Sequence, residues 1–151
     1  MGTGTDWAYI AGLFDGEGSI KVIPKHDGRK TIRTTYGVAI WNNNKGVLDW
    51  VKEVTGIGFV AERKRSNPKW NIGYYWSLCA LRDIEYFLQN IKPFAKIKAD
   101  HIAVMLSLVN TRLSSLNSDY HAPLGASEFM LIATLKKLNI RGKEIAFCKE
   151  G

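Results

Sequence analysis

Thr5-Asp6-Trp7-Ala8-Tyr9-Ile10-Ala11-Gly12-Leu13-Phe14-Asp15-Gly16-Glu17-Gly18-Ser19-Ile20-Lys21-Val22 changes its apolar period once, and that change sets the fold. Up to Asp15 the large apolar residues Trp7, Ile10 and Phe14 recur at helical spacing and define a core face. Thr5 is the expected N-cap. Ala8, Ala11, Gly12 and Asp15 line a different face, and it is small. Gly16 and Gly18 end the helix. From Ser19 to Lys25 the period falls to two, with Ile20, Val22 and Pro24 alternating with Ser19, Lys21, Ile23 and Lys25.

Working outward, residues 26–30 form a turn with a basic tip, and Ile32 to Asn42 is a second strand. In it Tyr36, Val38 and Ile40 point one way; Arg33, Thr35, Gly37, Ala39 and Trp41 point the other. Asn43 or Asn44 caps a helix with core residues Val47, Leu48, Val51 and Val54, stopped near Gly56. Gly58–Arg65 and Trp70–Cys79 read as a second hairpin. Asp83 is expected to cap a helix that Pro93 breaks, and Lys98–Leu113 forms another helix. Residues 114–125 read as a loop, and Ser127 caps a last helix carrying Leu131, Leu135 and Leu138.

The expected class is therefore α+β, in the order αββαββα followed by further helices: a four-stranded antiparallel sheet with helices on one face. The 151 residues read as one domain, with a core over 5–113 and a helical C-terminal part over 114–151. With 46% hydrophobic and 23% charged residues, the composition is globular and excludes a disordered chain. No apolar run approaches the roughly 20 residues that span a bilayer, and the N-terminus lacks the features of a signal peptide. A non-secreted protein without a membrane partner is expected, in a prokaryotic cytoplasm or nucleoid, or inside an organelle if organelle-encoded. Two distant cysteines and three scattered histidines give no zinc spacing.

Residues 19–70 hold eleven Lys/Arg against four acids, which is the whole net charge of +7. Such segregation points to a polyanionic partner, against the alternative of a generic basic surface. A cationic twisted sheet can enter a DNA major groove, where base edges form an unambiguous code. The outward residues Ser19, Lys21, Ile23, Lys25, Arg33, Thr35, Ala39, Ala61, Arg63, Arg65, Tyr75 and Ser77 are the expected DNA contacts. Arg29, Lys30 and Lys69 in the turns are expected on the backbone. Trp41, Trp50, Trp70, Trp76 and Tyr74 form no evident stacking platform and are assigned to core packing.

Tyr9 to Ile20, with the nine-residue core Ile10–Gly18, resembles the signature of the LAGLIDADG endonucleases. Ile40-Trp41-Asn42-Asn43-Asn44 with the helix ending at Gly56-Ile57-Gly58 is similar to the family's second helix and third strand. Ile91-Lys92-Pro93-Phe94-Ala95-Lys96-Ile97-Lys98 resembles the segment carrying its functional lysine. In matching order, the resemblance covers roughly residues 6–110.

The resemblance implies a homing endonuclease making metal-dependent double-strand cuts with 3′ overhangs in a long pseudo-palindromic target. Other members of the family assist intron splicing, so an RNA-binding maturase is the alternative, with a non-cutting DNA-binding regulator as another. An intron-encoded origin fits a compact chain better than an intein. Hard oxygen ligands suit Mg²⁺ (or Mn²⁺). Glu17, where the family more often has Asp, is the implied catalytic and metal carboxylate, with the Gly16 carbonyl beside it. Without a metal, an acid at a helix C-terminus beside DNA is doubly disfavoured. Lys98, in preference to Lys96, is the implied charge-stabilising lysine. Asn42, with Lys45 as companion, either orders active-site water or caps the helix. The resemblance also makes Ala8, Ala11, Gly12 and Asp15 a homodimer interface; packing inside the monomer is the alternative.

Overall fold

The computed structural model describes residues 2–26, 32–64, 66–70, 72–115 and 125–140. Helix α1 (Gly4–Glu17) runs directly into strand β1 (Gly18–His26), which pairs with β2 (Ile32–Asn42). Helix α2 (Lys45–Thr55) leads to the hairpin β3 (Phe59–Arg63) and β4 (Gly73–Leu78). Helices α3 (Leu81–Ile91), α4 (Ala99–Ser115) and α5 (Ala126–Asn139) follow. The sheet order is β1-β2-β4-β3, antiparallel throughout, so the two hairpins join along β2 and β4. The expected α+β architecture is present. Among the described residues, no helix is long and apolar enough to cross a membrane.

One face of the sheet is buried. Ile20, Val22, Tyr36, Val38, Ile40, Trp76 and Leu78 point into the helical layer, as strand alternation requires. Phe87 of α3 stands at the centre, with its ring centroid 5.6 Å from Phe14 and 4.9 Å from Trp76. Burying side chains of this size contributes about 1.5–3 kcal/mol each. The Trp76 indole is not left unsatisfied, because its N–H donates to the Ile57 carbonyl at 3.0 Å. Helix α5 packs on α4 and reaches β1, where the Asn139 amide donates to the Ile20 carbonyl.

Three expected caps are corrected. Thr3, not Thr5, caps α1: its hydroxyl accepts from the Asp6 amide, and the Asp6 carboxylate accepts from the Thr3 amide. A cap at Thr5 would put Ala8 at the third helical position, with no carboxylate to return the bond. Ala80 precedes α3 without a side-chain cap, and Asp83 sits in the first turn, where its charge meets the helix dipole. Gly125, not Ser127, precedes α5, and its amide donates to Glu128. Asn44 caps α2 as expected, accepting from the Val47 amide. Gly56 ends α2 in the left-handed conformation at φ 72°. Most of the expected loop at 114–125 lies outside the described residues, although Ser114 and Ser115 belong to α4.

Candidate active site and nucleic-acid interface

The end of α1 separates two carboxylates. Glu17 is the last helical residue and is exposed. Asp15 is buried, at 8% exposure, and its carboxylate accepts from the Lys96 amide at 2.7 Å and the Lys98 amide at 3.0 Å. Burial pushes the Asp15 carboxyl up, but the amides of Lys96, Lys98 and Ile97 and the nearby Lys98 charge outweigh it. The group therefore titrates below the usual carboxylate range. The Lys98 ammonium donates to the Asp15 carbonyl at 3.1 Å, a cation at the negative end of the helix.

Gly18 makes the junction tight. A Cβ there would stand 2.5 Å from the Phe14 carbonyl oxygen and would also strike the Phe14 ring. Only glycine lets the chain leave α1 and enter β1 at once, so Glu17 is delivered to the edge of the sheet's outer face.

Glu17 lines a 260 Å³ pocket with Trp41, Asn42, Asn43, Arg63, Gly73 and Tyr74. Of the expected site residues, the fold brings Glu17, Asn42 and Arg63 together here. Asn42 orders the β2–α2 junction, its side-chain oxygen accepting from the Asn44 amide at 2.8 Å. It acts on the cap one step removed, since Asn44 itself is the N-cap. Lys45 is not brought in: it is exposed on α2 and paired with Asp49 one turn on, at 3.0 Å. Lys96 contributes its backbone amide and is otherwise exposed.

The donors suit a hard divalent cation. Glu17 offers carboxylate oxygens, and Gly16 lies in the last helical turn, where carbonyls have no intrahelical partner. Among the described residues no three His, Cys, Asp or Glu side chains converge. The chain could thus offer a cation a partial set of oxygen ligands.

The outer face of the sheet carries rows set by the register. Ser19, Ala39, Ser77 and Phe59 form one row across all four strands. Trp41, Tyr75 and Ala61 form the next, Lys21 faces Gly37, Ile23 faces Thr35, and Arg63 faces Gly73. The backbones of Lys25 and Arg33 are partners in the β1–β2 ladder. Lys69 is exposed beside Asn67, whose side chain accepts its amide. Arg29, Lys30 and Arg65 lie outside the described residues.

The aromatic assignments need correction. Trp76 is core, and Trp50 and Tyr74 pack against it, as expected. Trp41 and Trp70 do not. Trp70 is 57% exposed. Trp41 lies on the outer face with its ring centroid 4.9 Å from Tyr75, and the Arg63 guanidinium sits 5.4 Å over it. Phe59, absent from the expected contacts, joins Tyr75 at 6.1 Å. Strand alternation was the available signal, since Phe59 shares the parity of Ala61 and Arg63.

The small face of α1 is also redrawn. Ala11 is 0% exposed and belongs to the chain's own core, and the Asp15 carboxylate is held by the Lys96–Lys98 backbone. Within the single chain these two residues are interior, and the segment between α3 and α4 covers Asp15. What faces outward is Gly12 and Gly16, with Ala8 half-buried and Tyr9 exposed against Trp50. A Cβ at Gly12 or Gly16 meets nothing within 4 Å.

No curated protein matches the chain in sequence. Among solved structures, the homing endonuclease I-CvuI in complex with its target is similar at 15% identity and a TM-score of 0.60, over 90% of this chain and 96% of that one. The archaeal intron-encoded homing endonuclease I-Vdi141I complexed with DNA shows 19% identity and a TM-score of 0.62, over 90% and 98%. I-SmaMI bound to cleaved DNA shows 17% identity and a TM-score of 0.63, over 87% of this chain but 43% of that one. At these identities the likeness is one of fold. The family description LAGLIDADG-like domain matches residues 5–92, from α1 through both hairpins to α3. With its helix-to-strand junction inside a match that spans more than half its length, the chain belongs to the LAGLIDADG family.

Proposed function

We propose that the protein is a site-specific homing endonuclease that hydrolyses phosphodiester bonds on both strands of duplex DNA. The observation that carries the reading is Glu17, an exposed acid at a helix C-terminus, bordering the outer sheet face of a strongly basic segment. Helix dipole and DNA phosphates would both repel it, so its position makes sense for a group that binds a cation against phosphate. Relatives of the same fold solved with DNA support the choice of partner.

Glu17 and the Gly16 carbonyl would hold Mg²⁺ or Mn²⁺. The bound ion would activate water and neutralise charge at phosphorus. The chain's own residues do the rest. Lys21 and Arg63 dock the backbone and base edges on the outer face. Lys98, fixed on the Asp15 carbonyl, holds positive charge beside the junction and favours the developing negative charge on the phosphate. Asn42 lines the same pocket as Glu17 and fixes its β2–α2 border by accepting from the Asn44 amide.

A second copy pairs through the exposed part of α1, around Gly12 and Gly16, so that two Glu17 residues serve two strands. The chain carries one motif, and a two-fold assembly predicts a long pseudo-palindromic target. The family resemblance further implies 3′ overhangs.

The test is an in vitro selection. Wild-type and Glu17→Gln proteins are incubated with a randomised duplex library and Mg²⁺, and the released ends are sequenced. Ends sharing a pseudo-palindromic consensus with wild type, and none with Glu17→Gln despite retained duplex binding, are expected. Cutting by Glu17→Gln at the wild-type rate would refute the site. Duplex binding without cutting by wild type would make the protein a regulator, and preference for structured RNA would make it a splicing factor.

A further inference from the structure

Phe59, Tyr75 and Trp41 form a contiguous apolar strip on the outer sheet face, flanked by Ala39 and Ala61. A face that meets only phosphates has no use for it. Phe59 is 47% exposed, and neither it nor the two alanines has a hydrogen-bonding side chain with which to read donors and acceptors. In the major groove the one apolar feature on a base edge is the C5-methyl of thymine.

The ring geometry decides between two uses. A platform for splayed single-stranded bases needs open ring faces. Here the rings are engaged with one another: Phe59 and Tyr75 meet edge to face at 75°, Tyr75 lies tilted at 39° to Trp41, and the Arg63 guanidinium lies over Trp41. Rings packed in this way do not form a row of parallel open faces for bases, but the exposed Phe59 and the strip around it offer apolar surface that a methyl group can nest against. We propose that this strip is a specificity element that reads C5-methylated pyrimidines in duplex DNA, selecting thymine at fixed positions in each half of the target. The inference rests on the duplex-binding reading above.

The test is a methyl-deletion scan. Each thymine in the selected consensus duplex is replaced singly by deoxyuridine, which pairs identically but lacks the methyl. Affinity is measured with full-length Glu17→Gln protein, which leaves the duplex uncut. Loss of one nested methyl should weaken binding about fourfold, at symmetry-related positions in both half-sites. In a Glu17→Gln/Phe59→Ala protein the same swap should have little further effect, because the partner surface is gone. The scan itself needs no altered strip residue, so its outcome does not depend on how Phe59→Ala folds.

Indifference to every deoxyuridine, or an undiminished penalty in the Phe59→Ala protein, would overturn the proposal while leaving specific duplex binding intact. Absence of any specific duplex in the selection would instead remove the underlying reading, and this one with it. Tighter binding to single-stranded RNA that Phe59→Ala weakens would overturn it and assign the rings to base stacking.

Discussion

Asp15 and Glu17 stand two residues apart at one helix end, and the fold gives them opposite work. Glu17 is left exposed at the pocket, while Asp15 is consumed as an anchor for the segment that brings in Lys98. Because the Asp15 carboxyl is held below its ordinary range, its ionised form favours the folded state. That contribution is fully present above the unfolded value of about 3.9 and is lost as pH falls through the lower folded value. Asp15→Asn should therefore cost about 1–3 kcal/mol at neutral pH, since an amide presents one acceptor where two amides need one each. In urea titrations from pH 7 down to pH 3, the gap between the Asp15→Asn and wild-type proteins should narrow in acid. A gap unchanged across that range would show that the anchor does not depend on charge.

At the scale of the element, α1 has two unlike sides, and the proposed pairing uses the open one. Trp7, Ile10, Ala11 and Phe14 are buried in the protomer, and Gly12 and Gly16 open outward. Gly12→Ala has free space for its methyl and should stabilise the protomer by about 0.5–1 kcal/mol through helix entropy alone. Gly12→Leu should leave the protomer folded but block close approach of a second α1. In sedimentation velocity it should shift the protein from dimer to monomer. A Gly12→Leu protein that stays dimeric with wild-type affinity would move the interface elsewhere. The legibility of α1 follows the same division. Its helical period and its small side were readable from spacing. That Ala11 and Asp15 belong inside was not, because burial is decided by distant segments, as the Lys96 and Lys98 amides on Asp15 show.

Over the whole molecule, the last two helices are tied to each other by a buried ion pair. Arg112 of α4 and Glu128 of α5 meet at 2.9 Å, both nearly inaccessible, with Tyr36 of β2 close by. Removing one partner leaves a buried charge uncompensated. Arg112→Ala should cost about 3–5 kcal/mol in chemical denaturation, whereas the double change Arg112→Met/Glu128→Leu should recover most of it. A single change costing no more than a surface pair would show that α5 contributes little to the fold.

By itself the sequence determined the element order, the inner and outer faces of each strand, and the motif that places an acid at the helix end. These are local: side-chain period, turn chemistry and caps depend on neighbours within a few residues. Even there, the reciprocal bonds between Thr3 and the Asp6 carboxylate, and not Thr5, set the start of α1. Only the tertiary structure decided what each outward or inward residue meets. It put Trp41 under Arg63 and beside Tyr75, left Lys45 outside the pocket, and spent Asp15 on amides more than 80 residues away. Register between distant strands and the docking of distant segments fix those contacts, and neither is written in the period of any one element.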